Sequence, residues 1–239
     1  MTTAAPRATD PLMECHDIAR RAGLAPALTA LGSHVLPGLL PCGPGGHTIA
    51  PQDIYARAGT VWIAGVTRAR RPGRDTVVST ADLPGGGVVM AAVAADGPPA
   101  EDTAAGDDGR APYALGLVWL RLGLSEALRD SCLSHLGRRR TGDTYVLQQQ
   151  MVKGTLADVL VEHLEVRAVL EGTEPEAAPP ALLHHLHGRL TRADREQVRL
   201  LGAAGYLTDS PGMTAYVSEL LAEVHSTADD IGDSGAWGT

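Results

Sequence analysis

Apolar residues recur at three- and four-residue spacing through Leu117, Leu120, Leu124, Leu128, Cys132 and Leu136. That is the period of a helix with one buried face. The period returns at Met151, Leu156, Val159, Leu160, Leu164 and Leu170, and Gly172 closes the run. A third helix is expected over ALLHHLHGRLTRADREQVRLLGAAG. A fourth is expected over SPGMTAYVSELLAEVH, with Pro211 near its start. Four amphipathic rods with short connections predict a four-helix bundle over 112–226.

Upstream the period changes. TVWIAGV, DTVVSTA and GGVVMAAVA are short β-branched or apolar runs parted by RARRPGR and DLPGG. They predict strands at 60–67, 75–81 and 87–94, a reduced β-subdomain over 59–94. Residues 1–58 are expected to hold one short helix and loops. Asp10 would cap that helix with Pro11 at its first position, and it would run to Leu24. Three prolines and four glycines between Leu36 and Ala50 leave no room there for a regular element. Residues 95–111 form an acidic Pro/Gly-rich linker and 227–239 a tail. The fold class is therefore mainly α with a small β part.

Composition narrows the function more than the fold. The formal charge of −8 disfavours a nucleic-acid partner. No apolar run approaches a membrane span, and the N-terminus lacks the apolar core of a secretory signal. Three cysteines with no CxxC fit reduced thiols in the cytoplasm, not a disulfide frame or a zinc site. Cys132, on an apolar stripe, reads as core. His184 and His187 share a helix face, but His163 beside Glu162 has the wrong spacing to complete a metal site. A polar helix face is the expectation, with no metal. A short likeness of Leu190–Leu207 to a winged-helix repressor is outweighed by the acidic charge.

GLVWLRLGLSEALRDSCLSHL, Arg139, QQQMVKGTLAD and LLGAAGY together carry something more specific. Over about 113 to 225 the chain resembles the helical C-terminal domain of the acyl-CoA dehydrogenase family. Arg139, Gln150, Leu156, Ala157 and Asp158 fall at the spacings of a family pattern that joins the first two helices. Gly202, Ala203, Gly205 and Tyr206 are a looser counterpart of its Gly-Gly-x-Gly-Tyr segment. The resemblance implies FAD as cofactor, with Arg139, Gln150, Gly202, Ala203, Gly205 and Tyr206 as its contacts. It implies an acyl thioester, CoA- or carrier-bound, as ligand. It also implies an oligomer, of this chain or with a full-length homologue, that buries one long face of the second or fourth bundle helix.

The departures from the pattern tell against an orthodox enzyme. Thr141-Gly142 stands near the place of a Phe-Gly pair. Ala69, Arg70 and Arg71 stand where a flavin-contact segment would be, and the larger N-terminal helical domain is expected to be missing. Val217 and Ser218 align with the Arg-Asp pair that precedes the catalytic Glu in one branch of the family. Ser226 aligns with that Glu, and a serine cannot abstract the proton α to a thioester. Two functions are expected. One is a repurposed acyl-CoA dehydrogenase-like enzyme of bacterial secondary metabolism, such as a cofactor-free isomerase or cyclase. The other is a non-catalytic partner that completes the flavin site of a full-length homologue.

Overall fold

A computed structural model describes residues 10–63, 65–96, 109–207 and 210–226. The expected linker falls largely outside these residues, and the tail wholly so. The bundle comprises α4 (Arg110–Arg138), α5 (Gln150–Glu171), α6 (Pro180–Leu201) and α7 (Pro211–His225). The α4–α5 connection contains a two-stranded hairpin, β8 (Arg140–Thr141) with β9 (Thr144–Tyr145).

The N-terminal segment is more ordered than its breakers suggest. Two helices, α1 (Asp10–Ala22) and α2 (Leu24–Val35), are parted by Gly23 at φ 95°. The stretch expected to be all loop contains β1 (Leu40–Cys42) and β2 (His47–Pro51), followed by α3 (Gln52–Arg57). The glycines, Pro37 and Pro44 lie in the turns, and Pro41 sits in β1 at the edge of its sheet, where a missing N–H does no harm.

The strand expected over 60–67 is two strands. A positive-φ Gly65 (95°) lies in the turn that folds β3 (Thr60–Ile63) back antiparallel on β4 (Val66–Arg70). The other two expected strands are β5 (Thr76–Leu83) and β6 (Gly86–Ala92). One sheet has the order β1-β3-β4-β7, with β7 at Ala95–Asp96, and the other the order β2-β6-β5.

α4 is the axis of the molecule. Its residues from Leu115 to Glu126 are all buried, because α1 and α2 cover the side that α5, α6 and α7 leave open. Gly116 and Gly123 make this possible. A Cβ at Gly123 would lie 2.3 Å from the His16 carbonyl oxygen, and one at Gly116 would lie 2.3 Å from Leu31. The expected α4 stripe, Leu117 to Leu136, is wholly buried.

The expected α5 stripe is only half right. Leu156, Val159 and Leu170 are core, but Met151, Leu160 and Leu164 are exposed. The buried face instead runs through Val152, Leu156, Val159, His163, Val166 and Leu170. It includes a histidine that hydropathy assigns to the surface.

Candidate functional site

A cavity of about 500 Å³ lies where the β layer meets one end of the bundle. β1 and the turn after it supply Cys42, Gly43 and Pro44, and β3 supplies Trp62. The first turns of α4 supply Arg110, Tyr113 and Leu117. The first turns of α6 supply Leu183, His184 and His187. Ala222, His225 and Ser226, at the end of α7, close it. The β1–β2 turn can press on α7 because residue 43 has no side chain. A Cβ there would fall 1.6 Å from the Val224 carbonyl oxygen.

No carboxylate is among the described residues lining this cavity. Three of its titratable groups, Cys42, His187 and His225, are held uncharged. Burial pushes the Cys42 thiol up to about 12, so it is no nucleophile at neutral pH. Burial pulls His225 down to about 4. Burial, and after it the charge of Arg121, pulls His187 well below its ordinary value. His225 packs edge-on against Tyr113 with ring centres 5.4 Å apart, and its Nε2 is buried without a hydrogen-bond partner. Ser226 donates its hydroxyl to the Ala222 carbonyl at 2.9 Å.

Behind the cavity wall sits Arg121, fully buried in α4. Its Nε donates to Ser218 Oγ at 3.0 Å, one terminal nitrogen to Thr191 Oγ1 at 2.9 Å, and the other to His187 Nδ1 at 3.1 Å. Arginine only donates, so His187 Nδ1 must accept and its proton sits on Nε2. The guanidinium thereby ties α4, α6 and α7 together and fixes the tautomer of a cavity-lining imidazole.

A second buried network crosses the bundle deeper in. Arg129 reaches His163 Nδ1 at 3.1 Å, His163 Nε2 lies 2.7 Å from Ser125 Oγ, and Ser125 donates to Asp194. The same donor argument puts the His163 proton on Nε2. A nucleophilic triad places the imidazole between serine and acid; here serine stands between them and His163 donates to the hydroxyl, so it cannot take the serine proton. Burial raises Asp194 to about 6 and, with the charge of Arg129, lowers His163 to about 4. This network holds α4, α5 and α6 in register.

The residues singled out from the sequence lie elsewhere. Arg139 and Gln150 are exposed at the α4–α5 connection. Gly202, Ala203, Gly205 and Tyr206 follow α6, in a single 3-10 segment where Gly205 is buried and Tyr206 is 74% exposed. Gly205 and Tyr206 line a separate pocket of about 450 Å³ with Asp194, Arg195, Tyr216 and Glu219. Of the sequence-derived set only Ser226, His184 and His187 line the larger cavity. Trp62, Tyr113, Arg121 and His225 went unmarked. Arg121 carried the one available signal, a charge in the middle of a helix whose neighbours are all apolar.

No protein-family model matches this chain, and no curated protein matches it. Solved structures do. A variant of the Tcur3481-Tcur3483 steroid ACAD superposes with a TM-score of 0.58 at 15% identity, over 92% of this chain and 72% of that one. Butyryl-CoA dehydrogenase from Megasphaera elsdenii gives 0.52 at 13% identity, over 81% and 60%. The fold is that of the acyl-CoA dehydrogenases. A glutaryl-CoA dehydrogenase from Mycobacterium smegmatis, in complex with FADH2, gives 0.52 at 16% identity, over 84% and 62%. This chain thus spans less than two thirds of the last two.

On this acyl-CoA dehydrogenase-like fold the flavin contacts expected from the sequence lie at the end of the bundle remote from the cavity. α4 has 29 residues, so Arg139 lies about 40 Å along the axis from the cavity end. Gly202–Tyr206 close α6 while His184 and His187 open it, again at opposite ends. Arg70, in the segment aligned with a flavin contact, is sealed in a salt bridge with Asp75 at 2.6 Å, both side chains buried. Arg70 also stacks over Tyr55 at 4.1 Å, so it locks β4 to α3 and β5 and offers nothing to a ligand.

Proposed function

We propose that this acyl-CoA dehydrogenase-like chain binds an acyl thioester, CoA- or carrier-bound, in the 500 Å³ cavity and rearranges it without oxidising it. An isomerase or cyclase of bacterial secondary metabolism, acting in the cytoplasm, is the reading that fits best. The observation that carries it is the lining itself. The cavity is apolar on most sides, offers the neutral imidazoles of His187 and His225, and has no carboxylate among its described lining residues to abstract an α-proton. The test is an absorbance spectrum of the purified chain, followed by an acyl-CoA oxidation assay with an artificial electron acceptor. A colourless protein that binds acyl thioesters and reduces no acceptor is expected. A band near 450 nm with turnover would overturn the reading.

A second reading rests on a different observation. Arg139, Gln150 and Tyr206 are exposed at the bundle end remote from the cavity. On α5, Leu160, Val161 and Leu164 form an exposed apolar face, 42%, 51% and 55% accessible. A partner subunit supplying those residues to the flavin of a full-length homologue would present such surfaces. Co-purification with a larger yellow chain, in fixed stoichiometry, distinguishes it.

A further inference from the structure

The cavity holds two imidazoles in an unusual condition. His187 has its Nδ1 occupied by the buried Arg121 guanidinium, which leaves Nε2–H as its remaining polar group. His225 has a buried Nε2 with no partner at all. Both line one cavity, with Trp62, Leu117 and Ala222 around them. An unpartnered nitrogen inside a folded protein is costly unless something arrives to satisfy it.

The chemistry of that occupant follows from the walls. An anion would find one guanidinium, that of Arg110, beside the neutral rings of His187 and His225 and the imidazole of His184. A cation would find no carboxylate among the described lining residues. A neutral hydrogen-bond acceptor on an apolar chain fits both the donor and the surroundings. Arg121 donates only to neutral partners, Ser218, Thr191 and His187, while the charges of Asp194, Glu219 and Glu223 favour its ionised form without a direct hydrogen bond to it.

Resting on the reading that the cavity takes an acyl compound, we infer that His187 and His225 form an uncharged two-imidazole seat for the ligand's carbonyl. His187 Nε2–H donates to the carbonyl oxygen, His225 Nε2 supplies the second polar contact, and Arg121 is the positioning residue that keeps the proton on Nε2. An N–H already in place when the carbonyl arrives also polarises it, as a neutral imidazole can.

The test compares two probes that differ by one oxygen: octanoyl-pantetheine and its thioether S-octyl-pantetheine. Titration calorimetry on the full chain is expected to show the thioester binding about ten-fold tighter, close to one good hydrogen bond. His187→Leu should bind both equally, at the affinity of the thioether. His187→Gln, whose amide can accept from Arg121 and donate to the ligand, should restore most of the difference. Long-range 15N–1H spectra should show His187 as the Nε2–H tautomer in wild type and as a mixture in Arg121→Met. That measurement reads the network whether or not a ligand is present. Equal affinity for both probes in wild type, or a preference that survives His187→Leu, would overturn the seat and leave the acyl cavity standing. Failure of both probes to bind would remove the acyl cavity, and the seat with it.

Discussion

Burial holds the imidazoles of His163, His187 and His225 neutral, and this gives the protein a predictable response to acid. His163 and His225 titrate near 4 when folded, against an ordinary 6.5. Between those values the unfolded chain binds more protons, so stability is full above 6.5 and lost as pH falls toward 4. Each ring contributes on the order of 3 kcal/mol to that loss. Asp194 acts with the opposite sign. Its folded value of about 6 lies above 3.8, so its contribution is present below 3.8 and lost as pH rises through 6. Three lowered histidines outweigh one raised aspartate. Urea midpoints measured at pH 7 and pH 4.5 should therefore fall on acidification, and His163→Gln should flatten the fall. Stability that rose on acidification would mean that Asp194 dominates. The charges facing His163, from Arg129, Glu126, Arg167 and Asp130, are all part of that balance.

At the scale of elements, the contact that matters is that of the β1–β2 turn on the end of α7. It closes the cavity and depends on the lack of a side chain at residue 43. Gly43→Ala should lower the melting temperature by several degrees and weaken acyl-pantetheine binding together, because turn and cavity move as one. Gly188→Ala is the control, since a Cβ there meets nothing within 4 Å and the site is a helix interior. It should raise stability by up to about 1 kcal/mol and leave binding alone. The long helices were legible because their apolar period runs over many turns, with a stop at Gly172 and a start at Pro211. β1 and β2 were not. Each is short, and its strand character comes from pairing with β3 and β6, partners far along the chain.

For the whole molecule, the exposed apolar face of α5 is the surface most in need of cover. Glu162 and Glu165 on the same helix are already engaged by Arg189, so the face has little charge left to attract a charged partner. A second copy of this chain could cover it by meeting α5 with its own α5 across a two-fold axis, which predicts a dimer. Light scattering should find more than one copy in wild type. Leu160→Glu with Leu164→Glu should give one copy with an unchanged circular dichroism spectrum. A wild-type monomer would show that α5 waits for a different protein.

The sequence alone determined the four bundle rods, the small β part and the likeness that the superpositions carry, because helical period and strand-length runs are local properties. Tertiary structure decided the rest. Leu160 and Leu164 follow the same helical period as the core yet face outward, since a period fixes an angle around a helix and not what lies opposite. Arg121, His187 and His225, scattered over 105 positions of the chain, became one site only when α4, α6 and α7 packed side by side. Their charge states exist only in the dry interior which that packing creates.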